Sequence, residues 1–330
     1  MKKGIVIALV GALLAAGIAA LYRWDGSSGA GLYPIVSISP DDRYIAYSYN
    51  RAIFIAKTDG TEIKQLTSPR ADGHIGPVFS PDGSKILFVS YPRKAQKPLN
   101  HIYVMNADGS DLRRVTFEEG YILEAIFSAD GAKIYFLRSG FYGNYSFVGR
   151  PGPHEVDAFS INADGTGRKN LTNYKAYGMS DLDVSSDGKI LYLTLDDGPG
   201  NTLRAVSLDD TNQMPRVALG EQQGWEYRVS PDNKFVASIA VSEKPLYTGR
   251  GYEYELFLVD MESKRRTQLT FLGSYVSKPK FFHHQRRILF AHALNWPSQR
   301  PEYELMSVHL DGTHLEKINL TPPAASPQSQ

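Results

Sequence analysis

Catalysis in this chain would have to come from histidine, carboxylate, arginine, tyrosine or serine side chains, because there is no cysteine. Thiol nucleophiles, disulfides and thiolate metal sites are therefore excluded. The eight histidines are His74, His101, His154, His283, His284, His292, His309 and His314. None follows another at helical spacing with a glutamate between them, so no metal signature is present. Five serines, Ser39, Ser80, Ser128, Ser185 and Ser230, each stand two residues before an aspartate. No Gly-x-Ser-x-Gly elbow surrounds any of them. A serine that recurs so regularly reads as a turn-capping residue, not a nucleophile. No phosphate-cradling glycine loop is found, and neither a cofactor nor a metal is expected.

Arginine and aromatic residues cluster more informatively. Four stretches hold most of them: Tyr91–Asn100, Ser139–Glu155, Ser242–Glu253 and His292–Glu302. They carry Arg93, Lys94, Lys97, Arg150, Lys244, Arg250 and Arg300 against Glu155, Glu243, Glu253 and Glu302. Tyrosine, tryptophan and arginine dominate binding hot spots, since they bury large areas at low entropic cost. The expected partner-binding set is Arg93, Lys94, Tyr142, Tyr145, Arg150, His154, Tyr247, Arg250, Tyr252, Trp296 and Arg300. The competing reading is that these long loops merely cover the core.

The elements that would position these loops follow from a repeat. Phe79-Ser80-Pro81-Asp82-Gly83 recurs as Ile38-Ser39-Pro40-Asp41-Asp42, Phe127-Ser128-Ala129-Asp130-Gly131, Val184-Ser185-Ser186-Asp187-Gly188 and Val229-Ser230-Pro231-Asp232-Asn233. A sixth copy, Pro279–Phe290, keeps the frame of Pro77–Phe88 and has lost the turn residues. The aligned positions lie 41, 48, 57, 45 and 52 residues apart. Each copy continues into Lys85–Val89-like and His101–Met105-like apolar runs; four copies add an Asp-Gly pair, and five close on Leu-Thr or Val-Thr. Short β-branched and aromatic runs bounded by Asp, Gly and Pro predict strands joined by tight turns. Four strands per unit cannot bury their faces alone, whereas units stacked round an axis can.

The expected fold is therefore all-β. It is a six-bladed β-propeller of four-stranded antiparallel blades over 34–321, with blades near 34–68, 75–117, 122–173, 179–220, 225–271 and 275–321. The four long stretches then become loops between strands B and C of blades 2, 3, 5 and 6, all on one face. The connections between blades add Arg70, Asp72, His74, Glu118, Glu119, Tyr121, Tyr174, Lys175, Tyr177, Trp225, Glu226, Tyr227, Tyr275 and Lys278 near the channel mouth on that face. A closing strand, if there is one, must come from Leu32–Ile35.

The Ser-Pro-Asp-Gly turn, the Ile-Tyr-Val-Met strand, the Asp-Gly turn and the closing Leu-Thr resemble the TolB-type (WD40-like) propeller repeat. That resemblance covers the chain beyond its first 33 residues. It implies periplasmic binding of a protein or cell-envelope component, without catalysis. Members that act in the Tol system carry a separate α/β domain before the propeller. Here a linker alone is expected between the hydrophobic segment and Pro34, which points to an anchored scaffold relative. The alternative is a carbohydrate-active propeller, a lyase on acidic sugars. It would use His74, His154, Arg93, Arg150 and Arg250, whose guanidinium forks suit carboxylates.

Lys2 and Lys3 precede an apolar run over 4–21. Its length lies between that of a cleaved signal core and a membrane span. Residues 1–24 are expected to be a signal peptide or an N-terminal hydrophobic anchor helix that contacts or spans the membrane. Residues 25–33 read as a flexible linker and 322–330 as a disordered tail. Thirty-six basic and 35 acidic side chains leave no surplus charge to coat nucleic acid.

Overall fold

The computed structural model describes residues 32–68, 72–92, 99–117, 120–144, 152–196, 201–220, 224–244, 252–298 and 301–321. The expected anchor helix, most of the linker and the tail lie outside these residues. Every described element is a β-strand. Repeat one gives β1 (Leu32–Ile38), β2 (Tyr44–Tyr49), β3 (Ala52–Lys57) and β4 (Lys64–Gln65). Repeat two gives β5 (Asp72–Phe79), β6 (Lys85–Pro92), β7 (His101–Asn106) and β8 (Arg113–Arg114). Repeat three gives β9 (Tyr121–Phe127), β10 (Lys133–Gly143), β11 (Gly152–Asn162) and β12 (Lys169–Asn170). Repeat four gives β13 (Gly178–Val184), β14 (Ile190–Asp196) and β15 (Asn201–Ser207). Repeat five gives β16 (Trp225–Val229), β17 (Phe235–Val241), β18 (Tyr254–Asp260) and β19 (Arg266–Gln268). Repeat six gives β20 (Tyr275–Phe281), β21 (Arg287–Ala293), β22 (Tyr303–His309) and β23 (Glu316–Ile318).

Within each repeat, sequential strands pair antiparallel, giving blades in a propeller arrangement. Two departures correct the expectation of six separate four-stranded sheets. Repeat four has three strands, because the segment expected to be its fourth contains Pro215, which cannot donate to a ladder. Repeats five and six join into one eight-stranded sheet through a single parallel pairing, Tyr254 with Tyr275. Leu32–Ile35 is part of β1 and pairs with β2, so among the described residues no strand is exchanged between the ends of the ring.

The repeated turns explain the repeated letters. Each repeat serine hydroxyl donates to the aspartate two residues on, at 2.6–2.7 Å, and accepts the backbone N–H five residues on, at 2.9 Å. The next position has positive φ: Asp42 59°, Gly83 72°, Gly131 71°, Gly188 70° and Asn233 57°. Glycine and asparagine tolerate that region, and most other residues do not. The closing threonines have a role as well. Thr67, Thr116, Thr172 and Thr270 accept, at 2.9 Å, the backbone N–H of Ile53, Ile102, Ala158 and Leu256, each within strand C of the same blade.

Neighbouring blades meet through buried aliphatic clusters and through the Asp-Gly turns. A Cβ on Gly109 would meet the Leu66 carbonyl oxygen at 3.2 Å, and one on Gly165 the Val115 oxygen at 2.7 Å. Each turn thus abuts the preceding blade. The same contact recurs between the first blade and the last: a Cβ on Gly60 would meet the Asn319 oxygen at 2.6 Å. Val36, Ile38 and Tyr47 share one buried cluster with Phe282, Leu289, Leu305 and Leu320. The ring is therefore closed by packing. Asp42 adds a polar latch, since its carboxylate accepts the backbone N–H groups of His283, His284 and Gln285 at 2.7, 2.8 and 3.0 Å.

Candidate docking face and axial charge cluster

In such a ring the A–B and C–D turns fall on one face, and the B–C loops and interblade connections on the other. Six phenylalanine and tyrosine rings stand exposed among the described residues: Phe117, Phe141, Tyr174, Tyr177, Tyr252 and Phe271. All six are on the loop face. Phe117 is 70% exposed and Tyr177 58%, far from the burial that aromatic rings usually reach. Leu112 and Leu315 are also exposed, in C–D turns on the opposite face, so it is the aromatic side chains that distinguish the loop face. A large exposed aromatic patch marks an interaction surface.

Several of these positions are held rigidly. The buried Asp157 carboxylate accepts from the Thr172 hydroxyl at 2.8 Å and the Tyr174 N–H at 2.7 Å. Glu255, fully buried, does the same in blade five, accepting from Thr270 Oγ1 at 2.5 Å, Leu272 N–H at 2.6 Å and Gly273 N–H at 2.8 Å. Burial raises the Glu255 pKa, against those hydrogen bonds.

The expected docking residues divide into two groups. Arg93, Lys94, Tyr145, Arg150, Tyr247, Arg250 and Arg300 lie outside the described residues. Tyr142, His154, Tyr252 and Trp296 lie within them. The long β10–β11 hairpin carries Tyr142, whose ring meets Tyr121 at 5.0 Å. It also carries His154, buried between Phe141 at 5.1 Å and Tyr177 at 5.7 Å, with Nε2 3.2 Å from the Gly143 carbonyl. Tyr252 is open to solvent. Trp296 is half-buried: it stacks on Tyr275 at 4.9 Å, meets Tyr254 edge-on at 5.7 Å, and donates Nε1–H to the Tyr252 carbonyl at 3.1 Å. Trp296 thus covers the joint between the last two blades and holds Tyr252 in place. His74 hydrogen-bonds Thr67 Oγ1 at 2.8 Å and packs on Phe88 at 4.8 Å, and burial lowers its pKa. His74 and His154 thus have different immediate partners, and Arg93, Arg150 and Arg250 of the lyase constellation lie outside the described residues.

The sequence reading missed most of a second feature. Counting back from the repeat serine, the innermost strands carry Ile35, Gly76, Glu124, Asp181, Glu226 and Lys278 at the fourth position. At the second they carry Ser37, Val78, Ile126, Asp183, Arg228 and Lys280. The first two blades thus line the axis with apolar or small residues, and the last four mostly with charges. Strands β13, β16 and β20 each bulge there, and Asp181, Glu226 and Lys278 take φ of 58°, 54° and 53°. Left-handed backbone at glutamate and lysine costs roughly 1–2 kcal/mol each, and bulges of this kind re-aim side chains.

The charges interlock. Arg228 Nη2 lies 3.1 Å from Glu124 Oε1 and Nη1 3.4 Å from Asp181 Oδ1. Lys278 Nζ lies 2.9 Å from Glu226 Oε1 and 3.7 Å from Asp181 Oδ1. Burial works to raise the Asp181 pKa, but Lys278 and Arg228 outweigh it and hold the carboxyl below its usual range. Asp183 is pushed up, mainly by burial. Lys280 falls to about 8 through burial and the neighbouring Arg228. Both Asp183 and Lys280 keep partial contact with solvent. Among the described residues no group of His, Asp and Glu is arranged to hold a metal ion.

No protein-family model matches the chain, and no curated protein matches it in sequence. Many solved structures share its architecture. TolB from Acinetobacter baumannii aligns with a TM-score of 0.59 at 20% identity, over 87% of this chain and 63% of that one. The present chain therefore spans less than two thirds of that TolB chain. An oligogalacturonate lyase in complex with manganese aligns with a TM-score of 0.56 at 14% identity, over 82% and 75%. A chain of the nidogen/laminin complex aligns with a TM-score of 0.57 at 11% identity, over 82% and 89%. Identities this low establish the fold alone. That fold is a β-propeller with TolB propellers among its structural neighbours.

Proposed function

We propose that this chain is a non-catalytic, extracytoplasmic propeller of six sequence repeats that docks a protein or cell-envelope component on its loop face. One observation supports the reading: every exposed phenylalanine and tyrosine ring among the described residues is on that face, and two of the connections bearing them are braced by buried carboxylates. Preorganised aromatic residues lose little entropy when a partner binds. Tyr142, His154, Tyr252 and Trp296 contribute from the described residues, joined in this proposal by Arg93, Lys94, Tyr145, Arg150, Tyr247, Arg250 and Arg300. The basic start and apolar run over 1–24 would export the propeller and tether it to the membrane through the 25–33 linker. In crosslinking mass spectrometry of the chain with envelope extract, partner crosslinks should fall on the loop face. They should disappear when Phe141, Tyr177 and Tyr252 are all changed to Ala. Crosslinks confined to the Ser-Pro-Asp-Gly face would overturn the assignment.

A further inference from the structure

The irregular fourth segment of blade four leaves an open cleft of about 370 Å3 against blade three. Its cause is local. Arg216 makes a single bridge to Arg204, the Pro215 carbonyl accepts the Ala205 N–H at 3.0 Å, and the Val217 N–H donates to Leu203 O at 2.9 Å. Met214 is buried in the aliphatic cluster shared by blades three and four, and pins the segment down. The residues just before it rise as one wall. The other wall is the end of blade three and the connection that follows.

The lining is Asn170, Leu171, Thr172, Asn173, Tyr174, Thr211 and Asn212. None of these side chains is charged, and three are carboxamides, each able to donate and accept. The Asn212 amide N–H donates to Asp210 at 2.8 Å, which leaves its oxygen directed to other donors. Asn170 Oδ1 accepts the Thr172 N–H at 3.3 Å, which leaves its amide hydrogens to donate. Tyr174 is 47% exposed, and its backbone is fixed by Asp157. An exposed ring held in place beside neutral amides and hydroxyls is a poor match for phosphate, which calls for cations or helix ends. It is equally poor for lipid, which needs an apolar wall. It matches a ligand with an apolar C–H face and many neutral hydroxyls. The volume lies within the ~300–1,000 Å3 of small-ligand sites.

We propose that the cleft between blades three and four binds a neutral saccharide, one or two sugar units stacking on Tyr174 and hydrogen-bonding Asn170, Thr211 and Asn212. The proposal goes beyond the docking reading: five of the six exposed rings lie outside the cleft, and the two stand or fall separately.

The full chain, purified in a detergent without a sugar headgroup, would be titrated calorimetrically with maltohexaose, cellohexaose and chitohexaose, and with a hexagalacturonate. At least one neutral probe should bind. Tyr174→Ala should weaken it by about tenfold, the factor that ~1.4 kcal/mol produces, while Tyr174→Trp keeps binding and Asn212→Ala weakens it. Tyr174→Trp also guards against misfolding of the alanine variant, because it preserves the ring. Three results would overturn the proposal: no binding by any neutral probe, binding unchanged in Tyr174→Ala and Asn212→Ala, or preference for the acidic probe.

Discussion

Removing the Asp42 latch tests how the ring closes. Asp42 is 5% exposed, and its two oxygens accept three backbone N–H groups from the turn between β20 and β21 of the last blade. Hydrogen bonds to a charged acceptor are worth ~1.5–3 kcal/mol each, but the freed N–H groups can recover part of this through water at a partly exposed turn. We expect Asp42→Gly to cost ~3–4 kcal/mol. Asp42→Ala should cost about 1 kcal/mol more, since alanine disfavours the 59° φ that glycine accepts. In a domain of this size each kcal/mol shifts Tm by roughly 2–4 °C, so a fall of about 10 °C is expected for the glycine variant. Urea unfolding measures the total, and hydrogen exchange locates it: peptides over 32–42 and 282–290 should exchange faster, while those of blades two to four stay protected. If Asp42→Gly stays within ~0.5 kcal/mol of the parent, the range of ordinary surface changes, and exchange at 282–290 does not change, side-chain packing alone closes the ring and the latch reasoning fails.

Three other outcomes follow from the geometry. Lys280 has its pKa lowered to about 8, so the fold penalises its charged form relative to the unfolded chain. Its penalty is therefore fully present below pH 8 and fades as pH rises toward the unfolded value near ~10.4. Lys280→Met should stabilise by ~1–3 kcal/mol at pH 7 and by little at pH 10, and a gain independent of pH would contradict the placement. Trp296→Ala should cost ~2–4 kcal/mol in urea unfolding, as the stacks on Tyr275 and Tyr254 are lost, whereas Tyr252→Ala should stay within ~0.5 kcal/mol. Equal costs would show that Trp296 is not a cover. Arg228→Ala strands the Asp181 and Glu124 carboxylates at the axis and should cost ~3–5 kcal/mol, read by calorimetric Tm.

The repeat made the strand order, the turn chemistry and the sidedness of the loops legible, because each reflects a local rule: positive φ after Asp, a serine cap, β-branched runs. What escaped were features where one repeat answers another. Asp42 stands where other copies have Gly or Asn, and His283-His284-Gln285 stands where the sixth copy has lost its turn. Read separately, both look like decay. In the ring they meet, and each accounts for the other, since the carboxylate supplies the acceptor that the degraded turn lacks. The axial charges were hidden in the same way. Glu124 and Arg228 are 104 residues apart and meet only because blades three and five both face the axis. Glu226 and Lys278 were placed near the channel mouth from topology, but not as partners. A column-by-column comparison of the copies would have exposed them, because charge at the second and fourth positions before the serine contradicts the apolar alternation of an inner strand. Burying those charges stabilises little, since desolvation offsets most of the attraction. The bulged, left-handed backbone that aims three of them adds further cost. The same bulge recurs in β1, β5 and β9, and Gly76 takes φ 62°, so the backbone belongs to the repeat and the later blades place charges on it. Arg228→Ala and Lys280→Met together would measure what those charges contribute to stability.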